Sequence, residues 1–478
     1  MSPEAALILD DETRARLWPH VADAIERYIA GVGDARVAPP LDVEAIRAFV
    51  RRFDFDHPLD PLAAVDLAVE GLWKYQVHIA HPRYFGLFNP APTTMGIAAD
   101  ALAAAFNPQL AAWSHSPFAD EAEAYLVRAI GERFGYDPAA MDGTLTSGGA
   151  EANHTALLCA LVHRFPAFSR GGIRALDGQP VFYVSAQSHH SFIKAARFCG
   201  LGTDAVREVP VDSGFRMDVS ALRTLIQRDR EAGLRPFMVA ATAGTTSGGI
   251  VESIDAIGAV AREAGLWLHV DAAWGGLCAL VPELRPLLGD VAAADSITFD
   301  AHKKLSVPMA AGIFLTRHLD ILKATCGIVT DYMPREAAGY DVVDPYTHSM
   351  QWSRRFIGLK VLLSLAVAGW AGYADALRQQ VAMGDLLRRE LAGAGWQIVN
   401  DTPLPVVCFT DPRRPDGRHP AYLDRIAAAV VGSGEAWLST TRLSAETPVL
   451  RACVTNYRSG PDDVHAVVAL LERARAGR

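Results

Sequence analysis

Cysteine is scarce in this sequence, with six among 478 residues, at Cys159, Cys199, Cys278, Cys326, Cys408 and Cys453. They are scattered, with no CxxC pair. That argues against a disulfide-stapled scaffold and a thiolate metal knuckle. Most are flanked by apolar residues, as buried thiols of a reduced, cytoplasmic protein would be. Runs of basic charge are also missing, and the formal net charge is -9. Nothing there would draw a nucleic acid or an anionic membrane. The Ala-rich stretches near 97–106 and 361–370 are too short or too interrupted to span a bilayer. The start, MSPEAALILDDETR, has no basic segment followed by an apolar one, so no signal peptide is expected.

What is present is a large apolar fraction, 50% of residues, enough for a sizeable core and more than one domain. Residues 8–31 read as a helix, with Leu17, Val21, Ile25 and Ile29 every fourth position and Gly31 and Gly33 as the stop. DVEAIRAFVRRF and LAAVDLAVEGLWKYQV continue the helical pattern. These elements form no obvious core of their own, so residues 1–85 are expected to pack on the main domain or on a partner subunit. HPRYFGLFNPAPTT is a loop rich in aromatics and proline. DEAEAYLVRAIGERFG then reads as a long helix.

Between 86 and 374, short apolar runs alternate with helical ones: VFYVSA at 181–186, residues 236–243, LWLHVD at 266–271, SITF at 296–299 and GIFLT at 312–316. Continuous apolar strands separated by helices predict an α/β domain with a mostly parallel sheet covered on both faces. WSRRFIGLKVLLSLAVAGW is expected to be a connecting helix. Residues 375–478 predict a smaller α+β domain.

Several motifs fall at the ends of these strands, where α/β sheets bind ligands. Ser147, Gly148 and Gly149 in TSGG precede a helix, a pattern that admits a phosphate to free backbone N–H groups. It is neither a Walker loop nor a dinucleotide fingerprint, and many such turns are only helix caps. His189 and His190 follow the first strand run. Imidazole there can stack on a flat ring or move protons, although a capping pair would look the same. Thr245, Thr246 and Ser247 place hydroxyls on the same rim.

Asp271 ends an apolar strand, where an unpaired carboxylate is costly. With His269 it has the spacing of a metal pair, but no third ligand stands out. Ala273 is small enough to let a flat ring lie against it. Lys303 and Lys304 are adjacent in DAHKK, beside Asp300 and His302, and spacing does not choose between them. A buried carboxylate and a desolvated amine at one sheet edge are what pyridoxal phosphate requires, one for its pyridine nitrogen and one for its Schiff base.

Together TSGGAEAN, HVDAAWGG and DAHKK resemble the pyridoxal-phosphate-dependent group II amino-acid decarboxylases, which include aromatic-amino-acid, glutamate and tyrosine decarboxylases. The resemblance spans roughly residues 75–460. It implies fold type I, the aspartate aminotransferase-like architecture. It also implies Lys303 as the Schiff-base lysine, Asp271 on the pyridine nitrogen and His189 stacked on the ring with Ala273 on the opposite face. Ser147, Gly148 and Gly149 would hold the phosphate, with Asp300 and His302 nearby. Thr246 would lie near the cofactor and the substrate carboxylate. Tyr332, in a loop without periodicity, matches the lid tyrosine that returns a proton to the substrate carbon. Relatives that release aldehydes tend to carry Phe there. Family members are dimers with active sites at the subunit interface, so a homodimer is expected.

The substrate reading rests on residues 81–90. His81, Leu87, Phe88 and Asn89 resemble the loop that lines the side-chain pocket, with Trp113 contributed from the opposite subunit. Leu87 and Phe88 favour an aromatic or hydrophobic L-amino acid. Arg83 and Asn89 would instead suit an acidic one. Transamination, carbon–carbon lyase action and decarboxylative aldehyde formation use the same lysine and aspartate and are the rival reactions.

Overall fold

Each N-terminal helix starts where an aspartate can accept its free N–H groups. The computed structural model describes residues 7–334, 336–337 and 339–477. In it α1 (Asp11–Gly31) is capped by Asp10, α2 (Val43–Val50) by Asp42 and α3 (Pro61–Lys74) by Asp60. An apolar cleft of about 590 Å³ lies between α1, α3, Ala91, Ile97 and Tyr457.

The apolar runs build a seven-stranded sheet from β1 (Asp142–Thr146), β2 (Pro180–Ser185), β3 (Val206–Val209), β4 (Arg235–Thr242), β5 (Trp267–Asp271), β6 (Ser296–Asp300) and β7 (Gly312–Thr316), in the order β1-β7-β6-β5-β4-β2-β3. β7 runs antiparallel to both its neighbours, and the other pairings are parallel. Register sets Thr242 opposite Asp271 and Asp271 opposite Thr298. The carboxyl ends of β4, β5 and β6 therefore share one edge, with Asp271 and Asp300 as the last residues of their strands.

Helix α4 (Gly149–Arg164) leaves the end of β1 and crosses the sheet on a buried face of Gly149, Ala152, Asn153, Ala156 and Ala160. Small residues there let the helix approach the strands closely. β1 and β3 are absent from the sequence reading above. β1 is five residues long and begins Asp-Gly; β3 is a four-residue edge strand with two charged members.

The connecting helix is shorter at its start than its periodicity suggests. α5 spans Gly358–Gly393, so WSRRFI lies outside it. Arg354 exchanges backbone hydrogen bonds with Leu110, and its guanidinium pairs with buried Glu123. Glu123 Oε1 in turn accepts from Gly358 N at 2.9 Å, which fixes the helix start. Helical pattern resumes after 375 because α5 is broken at Gly369 (φ 63°, ψ 172°) and then continues. A second, antiparallel sheet follows, built from β8 (Gln397–Ile398), β9 (Val406–Thr410), β10 (Ser439–Arg442) and β11 (Pro448–Cys453) in the order β10-β11-β9-β8. Its own core includes Leu387, Trp396, Phe409, Tyr422 and Leu471. Among the described residues no helix is long and apolar enough to cross a membrane.

Candidate active site

The choice between the two adjacent lysines is made by one helical turn. Ala301–Lys304 form a short helix after β6, and consecutive helical side chains point about 100° apart. Lys303 turns toward the sheet edge, its Nζ 2.8 Å from Asp300 Oδ2. Lys304 turns into the core, where its Nζ donates to Gln380 Oε1 at 3.1 Å and lies 4.6 Å from the Trp274 ring centroid. Burial pushes the Lys304 ammonium down to about 8. Only Lys303 reaches the cavity at the carboxyl ends of the strands, a narrow slot of about 40 Å³.

Asp271, His189, Thr246, Ala273, Asp300 and Gly149 line the same cavity. Asp271 is buried; its Oδ1 accepts from Ala273 N at 3.1 Å and its Oδ2 from Asn153 Nδ2 at 2.8 Å. His189 Nδ1 accepts from Ser191 N at 3.2 Å. Burial lowers its pKa against the opposing charge of Asp271, so the ring is neutral near pH 7 and suited to lie against an aromatic system. Asp300 Oδ1 is buried with no hydrogen-bond partner among the described residues.

The slot is flat because nothing projects into it. A Cβ on Gly149 would come within 2.9 Å of Asp300 Oδ2 and 3.2 Å of Ala273 Cβ. Gly148 is pressed on by His302, whose Cε1 would lie 3.3 Å from a Cβ there, and by Gly312, whose own Cβ would meet the Gly148 backbone at 2.5 Å. His302 is fixed by Ala311 N, which donates to its Nδ1 at 3.1 Å, and burial lowers its pKa. Ser147 is exposed, and its N–H donates to Glu151 Oε2 at 2.8 Å. The first N–H groups of α4 have no intrahelical acceptor. An anion-accepting turn, a flat slot, a carboxylate and an amine suit the phosphate, ring, pyridine nitrogen and carbonyl carbon of pyridoxal phosphate in turn.

Other expected residues are not brought to this cavity within the chain. Of the loop at residues 81–90 only Phe88 lines it. His81 is fully buried below the loop, where its Nδ1 accepts from Arg83 N at 2.9 Å and burial pushes its pKa to about 4. Leu87 is half exposed, and Asn89 Nδ2 donates to Met309 Sδ at 3.5 Å. Trp113 donates its backbone N–H to Asp344 Oδ1 and its indole N–H to Glu121 Oε1. Tyr332 is exposed and stacks on Trp352, ring centroids 5.9 Å apart.

Three residues of the site escape the sequence reading. Asn153 donates to Asp271. Trp274 packs on Phe88, with ring centroids 4.6 Å apart and planes tilted by 32°, and both line the cavity. Arg451, from β11, is 2% exposed; its Nε donates to Thr246 O at 3.0 Å and its Nη1 to Gly86 O at 2.8 Å. Its guanidinium lies 4.9 Å from the Phe88 ring, and its Nη2 has no hydrogen-bond partner among the described residues. Asn153 carried one signal, a polar residue on the Ala-lined face of a helix.

Comparison with known proteins concerns the family and the fold. A model of the pyridoxal-dependent decarboxylase conserved domain matches residues 51–411. The chain is 34% identical to a tyrosine decarboxylase of Oryza sativa subsp. japonica, over 85% of this chain and 78% of that protein. It is 31% identical to the cysteine sulfinic acid decarboxylase of Mus musculus, over 70% and 68%. The crystal structure of mouse CSAD superposes with a TM-score of 0.90 at 25% identity, covering 97% of this chain and 99% of that one.

Proposed function

Because this chain belongs to the pyridoxal-dependent decarboxylase family, its reaction is the loss of carbon dioxide from an amino acid with pyridoxal 5'-phosphate as cofactor, and we propose that the amino acid is an L-amino acid with an aromatic or other hydrophobic side chain. The observation that carries this reading is the Phe88–Trp274 pair. The two rings pack against each other beside Lys303, tilted by 32°, and give the cavity an apolar wall. Burying an aromatic ring there would contribute roughly 2 kcal/mol or more by area alone.

The cofactor, when bound, supplies an electron sink for the pair left on the substrate carbon. The protein residues do the rest. Lys303 would hold the cofactor through its Nζ, from which Asp300 accepts a hydrogen bond. Asp271 holds the pyridine nitrogen protonated. His189 and Ala273 sandwich the ring. Gly148 and Gly149, with the Ser147 hydroxyl and His302 beside them, receive the phosphate. Thr246 lines the cavity where a substrate carboxylate can be met, and Arg451 beside it, hydrogen-bonded to Thr246 O, has an Nη2 without a partner among the described residues. Tyr332 returns the proton to the carbon, so the product is the amine.

Tyr332 and Trp113 lie away from the cavity of their own chain. With the apolar cleft between α1 and α3, this supports a homodimer in which residues 1–85 pack on the partner and the lid completes the partner's site. The six unpaired cysteines suit a reduced, cytoplasmic setting.

A second reading rests on Arg451. A buried guanidinium with a free N–H would suit an acidic side chain, as the similarity to a cysteine sulfinic acid decarboxylase also suggests. The test is a panel of L-amino acids scored by carbon dioxide released and product mass. The reading expects aromatic amines with equimolar carbon dioxide. Turnover of acidic substrates alone selects the second reading, and aldehyde in place of amine removes the role given to Tyr332.

A further inference from the structure

Behind Asp271 runs a column of buried polar groups that no part of the chemistry above uses. Asn153 Nδ2 donates to Asp271 Oδ2 at 2.8 Å and to Ser191 Oγ at 3.0 Å. On its other side Asn153 Oδ1 accepts from Thr298 Oγ1 at 2.8 Å and faces His269 Nε2 at 3.1 Å. His269 Nδ1 lies 2.8 Å from Ser296 Oγ, which accepts from Trp267 Nε1 at 2.8 Å. Asn153, His269, Ser296 and Thr298 are each at most 1% exposed.

Donor and acceptor roles along the column follow once Asp271 is ionised. An ionised Asp271 only accepts, so the Asn153 amide must present its N–H₂ to it. Its oxygen then faces His269, which must carry the proton on Nε2. His269 Nδ1 is left as the acceptor, and the Ser296 hydroxyl donates to it. Burial pushes the His269 imidazolium to about 4, so the ring is neutral and the tautomer is fixed by its neighbours. Turning the amide over would set its carbonyl oxygen against the Asp271 carboxylate and its N–H₂ against the His269 Nε2–H. With Asp271 anionic, every donor along the column meets an acceptor.

We propose that Asn153, held in orientation by His269 and Thr298, is a positioning residue that keeps Asp271 ionised and so keeps the shared proton on the pyridine nitrogen. This rests on the assignment of Asp271 to that nitrogen. In a site shielded from water, an N–H⁺···O⁻ pair competes with its neutral form, N···H–O, because desolvation penalises both charges. Hydrogen bonds donated to the carboxylate favour the ionic form. Among the described residues Asp271 has two such donors, Ala273 N and Asn153 Nδ2. Removing the second shifts the proton equilibrium toward the carboxyl oxygen by roughly 10- to 100-fold.

The decisive measurement is the ¹⁵N chemical shift of the pyridine nitrogen in resting holoenzyme loaded with ¹⁵N-labelled cofactor, without substrate. In Asn153→Leu, which removes the donor at nearly constant volume, the resonance moves toward the unprotonated position. The decarboxylation kcat falls by roughly 10- to 100-fold, with KM changed far less. Asn153→Ala should shift the resonance in the same direction and serves if the leucine variant does not fold. A wild-type nitrogen shift in either folded variant overturns the proposal. Asp271→Ala separates the levels. If it moves the resonance and the Asn153 variants do not, only this inference fails. If it does not, the assignment of Asp271 fails and the inference with it.

Discussion

Lys303 Nζ lies 2.8 Å from Asp300 Oδ2, three residues earlier on the same turn. That contact aims one of two adjacent lysines at the cavity and leaves the other in the core. Lys303→Ala is expected to lose the visible absorption of covalently held cofactor and essentially all carbon dioxide release. Lys304→Met should keep the absorption, because the Lys304 amine faces Gln380 and Trp274. Loss of the absorption in the second variant alone would exchange the roles of the two residues.

Tyr332 stacks on Trp352 and does not line the cavity of its own chain. If it acts across a dimer, Tyr332→Phe lowers amine formation by at least about 100-fold, the usual contribution of a placed proton donor. Co-expressing Lys303→Ala and Tyr332→Phe chains should then restore activity. Half of the mixed dimers are hybrids, and each hybrid holds one site with both residues, so about a quarter of wild-type activity is expected. Inactive co-expressed material with hybrids present would place Tyr332 in its own chain's reaction.

Lys303 and Asp271 were legible in the sequence because each ends or follows a short apolar strand. Strand order and register bring such ends together with little help from distant residues. Asn153 and Arg451 were not legible. The contact of Asn153 with Asp271 spans 118 positions, and Arg451 comes from the second sheet to meet Thr246, 205 positions away. The loop at residues 81–90 was legible only in part for a related reason. Its composition suggested a pocket wall, but it has no period to say which side chains turn inward. The structure turns in Phe88, buries His81 beneath and leaves Leu87 half exposed.

Arg451 has no acidic partner in an ion pair among the described residues, and its Nη2 is unpaired. Arg451→Met should leave cofactor absorption unchanged but weaken substrate capture. A lost hydrogen bond to a carboxylate is worth about 1.5–3 kcal/mol, so kcat/KM should fall roughly 10- to 100-fold. Arg451→Lys should recover little, since one ammonium does not reproduce the guanidinium fork that also holds Thr246 O and Gly86 O. Unchanged kcat/KM in a folded methionine variant would confine Arg451 to bracing the pocket wall.

Acid sensitivity should trace in part to His269. Its pKa in the folded protein is about 4, against an ordinary value of 6.5, because burial disfavours the imidazolium. A depressed pKa gives stability that is present above pH 6.5 and is lost as pH falls toward and through 4. In that window the unfolded chain binds the proton and the folded chain does not. The difference corresponds to about 3 kcal/mol. His269→Gln removes the titration, together with part of the column behind Asp271. Unfolding free energies of wild type and variant, measured by denaturant from pH 8 to pH 4, should differ by a constant amount above pH 6.5. Their gap should then narrow by about 3 kcal/mol toward pH 4. Subtracting the two curves cancels the other titrating groups, His81 among them. A gap that stays constant down to pH 4 would show that His269 accepts its proton as readily in the folded protein as in the unfolded chain.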